Sequence, residues 1–263
     1  MLVDYNDRNV EKLFTKIIDN QTMTTATPRR SRRNAPPIDD DRNHTELPPA
    51  VVAVIEAIEV DIIRGHLLPS VWLIEDHLME DYDAKRHVVR AALSELGRLG
   101  VVVKQPHRGA RVRRFEAESL ARLHHFRNIL HVSAVDAFPL PVAADRLDRL
   151  RLAAAEHAEA VDSGDLIRIH RANMVFHRRF YGLCDNPYIS ESIRLHDWIS
   201  FPARAYGMSD ETSLRVAKEE HHAMVEAVAA QDRALLRDLA CRHTINARNL
   251  YEQKFLLKGD RVR

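Results

Sequence analysis

The stretch AKRHVVRAALSELGRLGVVVKQPHRGARVRR, residues 84–114, decides the fold. From Ala84 to Leu99 the apolar residues Val89, Ala92, Leu93 and Leu96 recur at three- and four-residue intervals, so one face of a helix is apolar. Lys85, Arg86 and Arg90 fall on the other face. Val101–Lys104 and Ala110–Arg114, on either side of the turn Gln105-Pro-His-Arg-Gly109, read as a two-stranded ribbon. Upstream, Leu47–Arg64 is apolar on one side and stops at Gly65, and Leu73–Glu80 forms a short second helix. Three helices and a β-wing make a winged helix-turn-helix, expected over residues 46–114.

Charge supports a polyanion partner for this segment. The chain of 263 residues carries 39 Lys plus Arg and 38 Asp plus Glu, a net of +1. That average hides segregation. Glu46–Ala84 has nine acids and one base, a net of −8, whereas Lys85–Arg114 has nine bases and one acid, a net of +8. A compact module polarised in this way has one face suited to phosphate. Residues 115–263 hold 21 charges of each sign and show no such bias.

The remaining chain reads as helices at roughly 116–134, 140–162, 164–183, 187–206, 210–230 and 232–255, broken at Pro139, Gly164, Asn186-Pro187 and Gly207. No strand-like alternation interrupts them. The expected architecture is therefore mainly α, an N-terminal winged helix-turn-helix plus a C-terminal six-helix bundle over 115–263. Residues 1–45 form an extension and linker. Within them Asp4–Asn20 has the spacing of a short amphipathic helix, and Pro28–Arg33 is a +4 cluster, either a solvated run or an arm for the DNA backbone. Two cysteines, Cys184 and Cys241, exclude a disulfide-built scaffold and are expected to be reduced. With no secretory signal and no apolar run approaching 18 residues, the expectation is a cytoplasmic protein without a membrane span.

Arg86 and Arg90, four residues apart, present donors as a recognition helix does in a major groove, where an arginine fork bonds guanine O6 and N7. Lys85 and His87 flank them, and His107, Arg108 and Gly109 at the wing tip are candidates for phosphate or minor-groove contact. At this point the sequence resembles the GntR family of bacterial transcription regulators. The matching residues are Ile63-Arg64-Gly65, Pro69, Leu73, Leu78, Ala84–Leu93, Leu96, Leu99-Gly100-Val101-Val102 and Arg108–Val112. The sequence departs from the family's usual pattern at Lys85, His87, Val88 and Ala91. Asp76 stands where many relatives place an arginine that meets DNA. The resemblance implies a homodimer on a two-fold double-stranded operator.

A second constellation lies in the helical part. Asn173 and His177 share the inward face of the helix 164–183, His221 lies in the apolar stripe of 210–230, and His243 in that of 232–255. Three helices thus aim imidazoles at the bundle centre, and imidazole with a carbonyl oxygen suits a divalent ion such as Zn²⁺ or Ni²⁺. The run Asn173–His177, Asn186-Pro187, Glu220-His221 and His243 resembles the FCD effector domain of the FadR subfamily. That resemblance implies a metal site of one acid and three histidines, with Asn173 here in the acid's place.

Arg127 interrupts the stripe Leu120, Leu123, Leu130, Ala134 and requires an anion, either the carboxylate of an effector or an internal partner. His196 lies inward with Ile189, Ile193 and Ser200, lining the pocket or packing in the core. The expected function is a repressor released by a small carboxylic acid bound at the metal. The alternatives are a metal-free regulator that binds a fatty acid or acyl ligand, and a metal-dependent hydrolase. An enzyme is disfavoured because no His-Glu-x-x-His helix occurs, and the helix turns Glu219 and Glu220 away from His221.

Overall fold

The computed structural model describes residues 47–105 and 109–256, so the expected helix at 4–20, the basic run 28–33, and His107 and Arg108 lie outside the described residues. Helix α1, Pro49–Arg64, buries Val51, Val54, Ile55, Ile58, Ile62 and Ile63 and ends on Gly65 at φ +80°, where its last carbonyls are capped. Helix α2, Glu75–Asp81, and helix α3, Arg86–Arg98, complete the helix-turn-helix. Val88, Val89, Ala92, Leu93 and Leu96 of α3 are buried, and Lys85, Arg86, His87 and Arg90 are exposed, so the amphipathic reading holds.

The wing is a three-stranded sheet rather than a two-stranded ribbon. Strands β2, Val102–Gln105, and β3, Gly109–Val112, pair antiparallel, and β1, Trp72–Leu73, adds to the other edge of β3 with Trp72 opposite Arg111. Two residues are too few to carry a period-2 signal, which is why β1 is silent in the sequence.

The helical part comprises α4 (Ala117–Asp136), α5 (Ala144–Ser163), α6 (Leu166–Gly182), α7 (Pro187–Arg204), a 3₁₀ segment (Ala205–Ser209), α8 (Glu211–Ala229), α9 (Arg233–Arg242) and α10 (Ile245–Tyr251). The expected six helices become seven among the described residues, because the last divides at His243-Thr244. Thr244, at φ −91° and ψ −8°, bends the chain there. The bend follows His243 directly.

The winged head and the helical part share a core. Met174 of α6, Trp198 and Phe201 of α7, and Ala205 and Met208 of the 3₁₀ segment pack in one buried cluster with Ile55, Ile58 and Ile62 of α1. At its edge Glu59, fully buried on α1, accepts from Arg171 Nη2 of α6 at 2.6 Å. Gly100, just after α3, has φ +79°, and a Cβ there would lie 2.9 Å from Ile199 Cγ1 of α7. Only glycine permits that approach of head to bundle. Tyr251 Oη of α10 accepts from the backbone N–H of Phe115 at 2.9 Å, where the head joins the bundle.

Candidate metal centre and nucleic-acid interface

His177, His221 and His243 converge from α6, from α8 and from the bend after α9. Their candidate ligand atoms lie within 4.8 Å of one another, with His243 Nε2 3.1 Å from His177 Nε2 and 3.2 Å from His221 Nε2. Three nitrogens held at about 2.0–2.1 Å by one tetrahedral ion stand about 3.3–3.4 Å apart, so the spacing suits a shared ion. The outer nitrogens are engaged elsewhere. His243 Nδ1 donates to Glu220 Oε2 at 2.8 Å, and His221 Nδ1 lies 3.1 Å from Nδ1 of the buried His157. A carboxylate only accepts, so the proton of neutral His243 is on Nδ1 and its Nε2 presents a lone pair inward. Burial holds His177 and His221 well below the usual histidine range, and the neighbouring imidazole charges push the same way. Both are neutral donors at pH 7, the form a metal requires.

His177 and His243 border a cavity of about 90 Å³ that Asn173, His157, Glu220, Arg127 and Arg204 also line, while His221 stands behind them outside its lining. The two arginines differ. Arg127 Nη2 donates to Asp197 Oδ1 at 2.6 Å and both side chains are buried, so of the two anions expected for it the internal one is present. Arg204 donates to the Sδ of Met174 at 3.0 Å and, at 3.5 Å, to the carbonyl of Asp197. Among the described residues no carboxylate pairs with it. Burial pushes its pKa down to about 10, so it stays cationic.

His196 is not in the cavity lining. Its Nδ1 bonds the Ser192 carbonyl at 2.7 Å, and its ring lies against the exposed Phe126 at 4.8 Å. One residue on, a rotation of about 100° turns Asp197 inward in its place. The expectation that His196 binds an effector is corrected on this ground.

The residues expected to meet DNA lie on a second surface. Lys85, Arg86, His87 and Arg90 line the exposed side of α3, and Gly109 begins β3 at φ +88°. Arg86 and Arg90 are not bare cations, since both bond acids of α2.

Two family models match the chain, bacterial regulatory proteins of the gntR family over residues 51–112 and the FCD domain over 122–246. The chain belongs to the GntR family. Like its GntR-family relatives it is a transcription regulator with an effector-binding FCD domain, and not an enzyme. Escherichia coli McbR/YncC is 20% identical, covering 80% of this chain and 100% of that chain with a TM-score of 0.61. A GntR transcriptional regulator described as putative, from Rhodococcus sp. RHA1, is 23% identical, covering 78% and 98% with a TM-score of 0.60. Lar of Listeria monocytogenes is 17% identical, covering 78% and 97% with a TM-score of 0.53. At these identities the three establish the fold. A search of curated sequences found no match.

Sequence reasoning about this GntR-family chain missed His157 and Asp197 of the cavity and the role of Glu220. His157 and Asp197 were read as neither core nor site, and Glu220 was judged only against His221. Glu220 does turn away from His221, but it meets His243 on the next helix. Among the described residues no helix is long and apolar enough to cross a membrane.

Proposed function

We propose that this regulator is a homodimeric repressor of the FadR type. Its winged heads bind a two-fold operator, and a small carboxylic acid bound at a metal in the helical domain releases it. The observation that carries this reading is the cavity lined by His177 and His243 of the imidazole triad and by Arg204, whose guanidinium has no carboxylate partner among the described residues. His177, His221 and His243, with Asn173 one turn before His177, would hold Zn²⁺ or Ni²⁺. The ion would supply open positions for a carboxylate oxygen. Arg204 replaces Arg127 as the effector's counter-charge, since Arg127 is already neutralised by Asp197.

Size favours a short acid. An apolar cavity of about 150 Å³ accommodates a benzene ring, and this one measures about 90 Å³, too little for an acyl chain. With Zn²⁺-supplemented protein, one of glycolate, lactate, malonate and succinate is expected to raise the melting temperature by about 5–10 °C at saturating concentration, and octanoate to leave it unchanged. Arg204→Gln should keep the metal and lose that shift. A shift with octanoate alone, or one undiminished in Arg204→Gln, would refute the assignment.

For the dimer, the reading rests on Phe126 and Ile129 of α4 and Leu195 of the adjacent α7, which are 42%, 50% and 40% exposed on neighbouring helices. A second copy covering this face would bury its apolar area about a two-fold axis. Light scattering is expected to give twice the 30.2 kDa chain mass, and Ile129→Glu to halve it. A monomeric wild type would overturn the dimer, and a variant that stays dimeric would place the interface elsewhere.

A further inference from the structure

The exposed face of α3 is where free cations would serve DNA binding best, yet Arg86 and Arg90 are both bonded to acids of α2. Arg90 Nε donates to both carboxylate oxygens of Glu75, at 3.1 and 2.9 Å. Arg86 is held differently. Its Nη2 donates to Asp76 Oδ1 at 2.5 Å and its Nη1 to Glu75 Oε2 at 3.4 Å. The four charges sum to zero, the two acids coming from the segment of net −8 and the two arginines from the segment of net +8. The two bonding patterns also leave different donors available. Arg90 is engaged through Nε only, so its terminal Nη1 and Nη2 remain as an end-on fork whose plane the Glu75 carboxylate fixes. Arg86 has both terminal nitrogens turned toward carboxylates, and offers an unshared fork only after leaving Asp76.

We propose that Glu75 and Asp76 are specificity-determining positioning residues. Glu75 orients Arg90 to read a guanine while still paired, and Asp76 masks Arg86 so that sequences offering nothing in exchange are bound weakly. The proposal rests on the reading that α3 enters the major groove, where a fork meets guanine O6 and N7. An exposed ion pair is cheap to break, so the Asp76 pair yields to a matched base but opposes binding to phosphates alone. Within this arrangement Arg90 supplies standing discrimination and Arg86 supplies it conditionally.

The test uses the full chain with two readouts, sequencing of duplexes selected from a randomised library, and anisotropy of a random-sequence 30-base-pair duplex across a salt series. Arg90→Ala is expected to erase a guanine preference at one position of each half-site. Glu75→Ala should weaken the preference at that same position about 10-fold. Glu75→Gln, whose amide oxygen still accepts from Nε, should retain most of it. Asp76→Asn should bind the random duplex several-fold more tightly, with the logarithmic salt slope steeper by about one contact.

A role for Glu75 in stability alone would lower the melting temperature and all affinities together without moving base preference, and that result overturns the proposal. So does an Asp76→Asn variant with an unchanged salt slope. If Arg86→Ala and Arg90→Ala both leave the selected motif intact, the placement of α3 in the groove has failed, a different outcome from intact arginine effects with silent acids.

Discussion

Replacing His177 and His243 together by alanine is expected to reduce the metal content from about one ion per chain to none, because one imidazole and an amide do not make a site for a borderline divalent ion. The inward nitrogens of the triad are 3.1 and 3.2 Å apart. With His243 protonated on Nδ1, its Nε2 is a bare acceptor facing two other rings, and an ion shared by the three nitrogens satisfies all of them at once. Elemental analysis of protein purified after Zn²⁺ supplementation measures the loss directly. Glu220→Gln should act more mildly, weakening the metal about 10–100-fold in a competition titration, since it only slackens the hold on His243 Nδ1. DNA binding by the double variant should persist, since the altered residues lie in the helical part and α3 in the head. An ion retained after both histidines are gone, or a wild type that takes up none, would sink the metal reading and leave a cavity in which Arg204 alone addresses the ligand.

Much of this arrangement was legible in the sequence, and what was not has a common physical origin. Helix α3 could be read because its apolar and basic faces differ within a single turn, and the triad because each histidine interrupts an apolar stripe whose direction the helical period fixes. Contacts between elements have no such local signature. Asp197, 70 residues from Arg127, neutralises it across the bundle, and nothing near either residue announces the pair. The exchange of His196 for Asp197 in the lining is a register error of one residue, which on a helix moves a side chain by about 100°. The bend after His243 was invisible because no glycine or proline marks it. Asp76 was noticed only as a departure from the family, yet its meaning depends on Arg86 standing 2.5 Å away.

The second large effect concerns the joint between the two functions. Arg171→Ala is expected to destabilise the folded protein by about 3–5 kcal/mol, because it strips the cation from a Glu59 carboxylate that is fully buried. An exposed pair such as Arg122 with Glu118, 2.5 Å apart on α4, should cost less than about 1 kcal/mol when broken. Denaturant midpoints of the two variants, compared at equal m-value, measure the contrast. Replacing both partners with apolar residues, Glu59→Leu with Arg171→Met, should recover most of the loss, since neither charge then remains to be desolvated. If Arg171→Ala instead costs no more than the surface pair, Glu59 is solvated on opening of the joint, and the head is not held as the structure implies.

The recovered double variant addresses control as well as stability. Glu59 belongs to α1 of the winged head and Arg171 to α6, the helix that also carries Asn173 and His177. The 3₁₀ segment makes the same connection through packing, because Met208 lines the cavity and also belongs to the cluster around Ile55 and Ile58. A ligand alters DNA affinity only if it favours one arrangement of the head over another. An apolar joint should keep the chain folded while blunting that preference. The expected result is metal and acid binding as in wild type with the effector's influence on DNA affinity reduced several-fold. An undiminished response would mean that the 3₁₀ segment, rather than the ion pair, transmits the signal.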